Sequence, residues 1–564
     1  VPDGDIVEEW DAEAGDISEP EPLPVEGIVP LGYDRGIFYY LSLAAKQVYS
    51  IPAQQHTNKI LMAMASVPYY WQRTQFVTKT GIAWDAAIDD LMSKCRDVGV
   101  FDPARIRGRG AWIDDGRSVL HLGGYLIVDG DKQPLMLAGS RYVYEAGKQL
   151  FSGVPAPLSS KSANELVKLC QQLRWEKPIH GVLLAGWLAV APVCGGLAWR
   201  PSIWLTGGAG SGKSYVQDNI IAPALGGTAL RVQSKTSEAG IRQALNGDAR
   251  PVVFDEAERE DSASAARMQG VLDLVRQSSS ESAAEIIKGT QNQTAAKRYW
   301  VRSCFLFASI NVGIEHRADE TRVTVLTLRE PDPKKSAAEA AAFAALHARA
   351  IATLTPEFAG ALLARSVRLL PTIRANAETF AKAIALHLGS RRAGDQLGAL
   401  LAGAYSLHSE REISEDEAAK YVASQDWTAE RGEDEPDERR LLAHLTQRRV
   451  RISTGNGGSV ECTIGRLIEA AMGRDERISA DVAASELAQM GYRMDGAEGI
   501  FVATSHPAIR EGLRGTPWAA GWSRSLARLP GAGPHPKALR FGPGFVGKAT
   551  YVPMEAVISY KVAA

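Results

Sequence analysis

The run Gly207-Gly208-Ala209-Gly210-Ser211-Gly212-Lys213-Ser214 constrains this chain more than any other stretch, because two glycines with four residues between them, followed by Lys-Ser, fit a phosphate-binding loop. Such a loop works only at a strand-to-helix turn. The apolar stretch 202–206 before it reads as a buried strand, and the chain from Tyr215 onward reads as a helix. Glycines let backbone N–H groups close around an anionic oxygen, and the helix N-terminus adds positive potential. Lys213 then reaches the outer phosphates of ATP, and the Ser214 hydroxyl joins a Mg²⁺ shell. Gly207 through Tyr215 form the candidate nucleotide site.

At 564 residues the chain has room for several domains, and 45% hydrophobic with 23% charged residues is ordinary for globular protein. Its net charge of −2 hides a split: residues 1–22 carry nine acidic and no basic residues, so the rest carries +7. That acidic, Pro- and Gly-rich start reads as a solvated tail or linker. Cys95, Cys170, Cys194, Cys304 and Cys462 show no CxxC or Cys/His spacing, which argues against structural zinc and a disulfide framework and for a reducing cytoplasm. The chain opens on Val rather than Met, and the expectation is a piece of something longer. Residues 181–199 hold no charge, but Pro192 and Gly195-Gly196 interrupt them and Trp199-Arg200-Pro201 leads into the loop strand, so they read as a buried helix rather than a membrane span.

Residues 23–155 read as an α+β domain for oligomerisation or DNA binding, with strands around 37–41 and 119–128 and a helix near 84–95. Within it, Arg105-Ile106-Arg107-Gly108-Arg109-Gly110-Ala111-Trp112 fits either a nucleic-acid contact or an exposed turn making intersubunit ion pairs. Residues 156–335 alternate apolar strands with helical stretches, as a parallel α/β sheet flanked by helices demands. The Ala-rich 336–436 reads as a helical lid and linker. In 437–564, helices at 438–447, 463–472 and 480–490 and strands at 499–503 and 550–553 suggest a winged-helix-like domain. Its stretch 510–548, with seven basic residues, one acidic residue and Trp518 and Trp522, is either a nucleic-acid surface or a solvated basic loop region.

Three further features surround the loop. Pro251-Val252-Val253-Phe254-Asp255-Glu256 is an apolar strand ending in two carboxylates; Asp255 suits the Mg²⁺ shell and Glu256 the polarisation of an attacking water. A third apolar strand, 303–310, ends at Asn311, whose amide can sense the γ-phosphate or that water. Arg322, eleven residues on, begins another apolar strand and suits a charge-stabilising finger presented to a neighbouring subunit, with Arg317 the second choice. Between the acids and the Asn311 strand, residues 285–300 read as a β-hairpin with a polar tip, Gln291-Asn292-Gln293-Thr294, flanked by Lys288, Lys297 and Arg298.

In this order, the loop, Asp255-Glu256, the hairpin, Asn311 and Arg322 resemble the superfamily 3 class of AAA+ helicases, and more narrowly the helicase half of phage and prophage primase-helicases of the D5-like kind. The resemblance covers about residues 200–330. It implies an AAA+ core in a homo-oligomeric, hexameric ring, ATP and Mg²⁺ as cofactors, and Glu256, Asn311, Arg322 and Lys213 in catalysis. It further implies hairpins gripping single-stranded or forked DNA in the ring's pore through Lys288, Gln291, Asn292, Lys297 and Arg298, an upstream primase domain, and replication in a bacterial cytoplasm without a membrane. The family often carries a basic residue at the hairpin tip, whereas here the cations flank it. The alternative from another class is an AAA+ initiator or remodelling ATPase that does not unwind.

Overall fold

The computed structural model describes residues 27–558 apart from 66–68, 152, 256, 258–261, 281–285, 289–296, 315, 333, 335, 429–435 and 454–458. Its contacts divide the chain into two units, residues 1–430 and 431–564.

Five parallel strands form the central sheet of the first unit: β1 (Ser202–Thr206), β2 (Leu230–Gln233), β3 (Val252–Asp255), β4 (Phe305–Ala308) and β5 (Val323–Thr327). They lie side by side in the order β2-β3-β4-β1-β5. Strands buried on both faces read as unbroken apolar runs, and side chains still alternate between the faces. Thus Ile203, Leu205, Val253, Leu306, Ala308 and Leu326 share one core with α1 (Ser160–Gln171), α2 (Ile179–Val190) and the later helices, while Trp204, Val252, Phe254, Phe305 and Phe307 share another with α3 (Glu238–Leu245) and α4 (Ser262–Ser278). The result is a mixed α/β layer structure compatible with a phosphate-loop core.

After β5 come α5 (Ser336–Thr353), α6 (Phe358–Arg368), α7 (Leu370–Leu388) and α8 (Arg391–Ser406). The uncharged stretch read as a buried helix is α2 and the turn that follows; 89% of 179–196 is buried within the protein. Small residues allow this. A Cβ on Gly403 of α8 would meet the Gly186 carbonyl and lie 2.7 Å from Val190 Cγ1, so the two backbones touch only because glycine stands at the crossing.

Residues 28–95 pack a three-stranded meander (Ile28–Asp34, Ile37–Ser42, Gln47–Pro52) against the helix Trp84–Val98 around their own apolar cluster. Residues 111–144 instead feed Trp112, Val119, Leu120 and Tyr144 into the core that holds α1 and α2. The arginine run sits at this junction, where Arg105 stays exposed while Arg107 and Arg109 turn inward. Arg107 is 7% exposed, its guanidinium over the rings of Tyr142 (4.0 Å) and Trp112 (4.8 Å). Arg109 donates to both carboxylate oxygens of buried Asp248, and Arg105 donates to the Arg141 carbonyl. Asp248→Ala would leave Arg109, and Arg250 beside it, without their buried counter-charge. Losing one partner of such a pair costs about 3 kcal/mol or more, so the variant is expected to unfold at clearly lower temperature, and an unchanged midpoint would refute this assignment.

The second unit has helices Asp437–Gln447, Ile464–Ala471 and Ala480–Gln489, a hairpin Arg449–Ser453/Ser459–Thr463 between the first two, and then a four-stranded sheet in which Gly499–Ala503 pairs with Tyr492–Asp495 and Ala549–Pro553. Leu441, Leu467, Leu487, Val502 and Trp522 meet in its core. Trp522 of the basic stretch is therefore buried there, and Trp518 donates its ring N–H to Asp437 (3.0 Å).

Candidate functional site

β1 ends at Thr206, and the backbone then turns through Gly207 (φ 153°), Gly210 (φ 77°) and Gly212 (φ 100°), conformations that favour glycine. A Cβ on Gly210 or Gly212 would meet nothing within 4 Å, while one on Gly207 would lie 2.7 Å from both the Leu328 carbonyl and Ser211 Oγ. The loop backbone is thus pressed against β5's end on one side and open at Gly210 and Gly212. Lys213 Nζ donates to the carbonyls of Gly207 (2.6 Å) and Gly208 (3.1 Å), which lays the ammonium across the loop. Ser214 is exposed beside it. Ser211 is 4% exposed, and its hydroxyl has no hydrogen-bond partner among the described residues. A buried polar group left unpaired costs about 1–3 kcal/mol, which an anionic oxygen seated in the loop would relieve. These residues fit a nucleotide's phosphates.

Parallel strands bring their C-terminal ends to one edge, and the order of this sheet decides what stands there. Leu205 pairs with Ala308, and Phe254 pairs with Phe307, so Asp255 lies level with the last residue of β4 and just below the start of the loop. Two strand spacings separate β3 from β1, about 10 Å. Gln217, one helical turn beyond Lys213 and buried, closes that gap by donating to Asp255 Oδ1 (3.0 Å). It sits where the helix makes a single π turn, Gln217–Ile221, a feature that recurs at functional sites. Mg²⁺ typically takes one or two carboxylates plus phosphate oxygens, so Asp255 and the Ser214 hydroxyl are an adequate protein share. Among the described residues no group of three or more metal-ligating side chains forms a separate site. Glu256 lies outside the described residues.

The strand β4 delivers Asn311 to the same edge. Trp204 donates to Ser309 Oγ (2.8 Å), Ser309 donates to the Asn311 carbonyl (2.6 Å), and Thr206 donates to the Ile310 carbonyl (2.8 Å). Two side chains of β1 thereby pin the turn that exposes the Asn311 amide. In the sequence Trp204, Thr206 and Ser309 carry no site role, because their apolar surroundings mark them only as strand residues. Gln217 had a usable signal in its four-residue spacing from Lys213 on one helix face.

Arg322 is not brought to this edge. Val323 pairs with Ser202, so Arg322 stands at the opposite end of the sheet, about 16 Å of strand away from the loop. There its Nη1 donates to the Ala318 carbonyl (2.6 Å), while its Nε is buried without a hydrogen bond to any described residue. Burial holds the guanidinium pKa below its usual value, with Arg392 and Arg276 pushing the same way and Asp319 opposing them.

The predicted hairpin has its two strands, Ile286–Lys288 and Lys297–Tyr299, paired antiparallel with Lys288 opposite Lys297 and Ile287 opposite Arg298. Gln291 and Asn292 lie outside the described residues. At its base, the Arg242 guanidinium of α3 covers the Tyr299 ring at 4.5 Å.

The chain matches no protein-family profile and no curated protein. Among solved structures it resembles one described as the A form apo structure of the NrS-1 C terminal region, at 10% identity and a TM-score of 0.29, over 78% of this chain and 97% of that one. Similarity that loose says nothing about chemistry.

Proposed function

We propose that this chain is an ATP-driven DNA helicase that forms a ring and moves along single-stranded DNA, with ATP hydrolysed between subunits. The observation that supports it most is the strand order: β4 lies between the loop strand β1 and the acid strand β3, so the loop, Asp255 and Asn311 converge on one sheet edge. In this reading Lys213 neutralises the outer phosphates, Asp255, held by Gln217, and Ser214 hold Mg²⁺, Glu256 orients water, and Asn311 reports on the terminal phosphate. Mg²⁺, when bound, neutralises charge developing on the phosphate oxygens. Arg322 serves the next subunit's site.

The hairpin supplies the grip. The register sets Lys288 opposite Lys297, so the hairpin carries two lysines at paired positions, and such a pair suits an anion. A DNA backbone is such an anion, and binding of this kind weakens steeply with salt and depends little on sequence. Wild-type protein is expected to separate forked DNA with ATP and Mg²⁺. Replacing Lys288 and Lys297 together by Ala is expected to abolish both unwinding and DNA-stimulated ATPase while basal turnover persists. Stimulation that survives the double change would remove the hairpin from the mechanism; ATPase without strand separation in the wild type would favour an initiator or remodelling enzyme.

A further inference from the structure

Beside the loop lies an aromatic group in which Tyr215 packs against the core while its two partners stand exposed. Tyr215, directly after Ser214, meets Phe343 of α5 edge-on at 4.8 Å, and its hydroxyl is 3.3 Å from His347 Nδ1. Phe343 and His347, four residues apart on one helix face, hold their rings within 5° of parallel with centroids 6.3 Å apart. Phe343 is nevertheless 46% exposed, and His347 is exposed beside it.

The sheet order says which end of a nucleotide falls here. Asp255 and Asn311 come from β3 and β4, on one side of β1, and the terminal phosphate belongs with them. The nucleoside must then leave the loop on the other side, toward β5. There Leu328 donates to the Thr206 carbonyl (2.8 Å), the Leu328 carbonyl closes over Gly207, and the Glu330 carboxylate packs against Gly208. The chain continues into α5, whose start is fixed by the Arg174–Glu339 ion pair (3.1 Å) and whose next turns carry Phe343 and His347 onto Tyr215.

We propose that Tyr215, Phe343 and His347 form the seat for the nucleobase, a stacking surface divided between the helix after the phosphate loop and the first helix after the sheet. This rests on the loop's being a nucleotide site. Aromatic faces stack on any base, so the seat adds affinity with little discrimination, and by joining two elements through the ligand it makes α5 a sensor of nucleotide occupancy.

The test compares ATP with inorganic tripolyphosphate, which has the phosphates but no base, by calorimetric titration of the full chain. Phe343→Ala is expected to weaken ATP about tenfold, the scale of one lost base–aromatic stack, with tripolyphosphate unchanged and Phe343→Trp restoring ATP affinity. Equal ATP affinity in wild type and Phe343→Ala would overturn the seat, as would a parallel loss of tripolyphosphate binding, which marks a merely structural role. Lys213→Ala separates the two levels: it is expected to lose both ligands. If the wild type binds tripolyphosphate no better than Lys213→Ala does, the loop reading fails and the base seat falls with it; if only the Phe343 result is negative, the loop stands alone.

Discussion

Lys213→Ala is expected to lose nucleotide binding by on the order of 100-fold or more, whereas Glu256→Gln is expected to bind ATP as the wild type does and hydrolyse it about 10²–10⁴-fold more slowly. The defects differ in kind because the residues act at different stages. The Lys213 ammonium already spans the loop through the Gly207 and Gly208 carbonyls, so it is positioned to exchange those acceptors for phosphate oxygens with little reorganisation. Its removal subtracts a charge that the ground-state complex needs. In the proposed mechanism Glu256, next after Asp255 in the sequence, acts on the phosphates only through the attacking water, so Gln would preserve size and hydrogen bonding and remove only the proton acceptor. Binding measured by titration and phosphate release measured under saturating ATP separate the two effects. Wild-type turnover in Glu256→Gln would take the water-orienting role away from it.

The local elements of this core could be read from the residues because their signals are local. The loop strand predicted over 202–206 is β1, and the acid strand ends at Asp255 as expected. The third strand is shorter than its apolar run: β4 covers Phe305–Ala308, and Ser309 is taken into the following turn by its hydrogen bonds with Trp204 and the Asn311 carbonyl. What sequence could not supply was pairing between distant segments. The order β2-β3-β4-β1-β5 depends on which strand ends meet, and Arg109 finds its carboxylate 139 residues away in Asp248. With that partner invisible, three arginines among glycines look solvated; with it present, Arg109 ties the segment to the core while Arg105 stays exposed. The glycines there serve close approach rather than flexibility, since a Cβ on Gly108 would overlap Asp248 and one on Gly110 the Ala249 carbonyl. Phe343 and His347 went unread for the same reason, because only the fold sets them against Tyr215.

Arg322→Ala is expected to bind ATP normally and lose on the order of 10³-fold or more in turnover, the contribution of an arginine that stabilises charge on a transferring phosphoryl group. Position makes this a statement about assembly. Arg322 stands at the foot of β5, a full strand length from the loop of its own chain, which an arginine side chain cannot span. At that foot Arg276 and Arg392 add positive charge while Asp319, 1% exposed, pairs with Arg276 (3.1 Å), so Arg322 keeps a guanidinium whose charge burial disfavours and whose Nε has no acceptor among the described residues. An anion presented by another copy would satisfy both needs. In the proposed ring every site would combine Lys213 of one chain with Arg322 of the next. Lys213→Ala and Arg322→Ala are each expected to be inactive alone, yet rings mixed from the two would contain some interfaces where an intact loop meets an intact finger, and ATPase activity is expected to return there. Unwinding need not return, because one dead interface stops a ring that fires in sequence. If mixed rings form, shown by co-purification of differently tagged chains, and remain as inactive as their parents, Arg322 does not act across the interface, and Arg317, five residues upstream, becomes the residue to replace next.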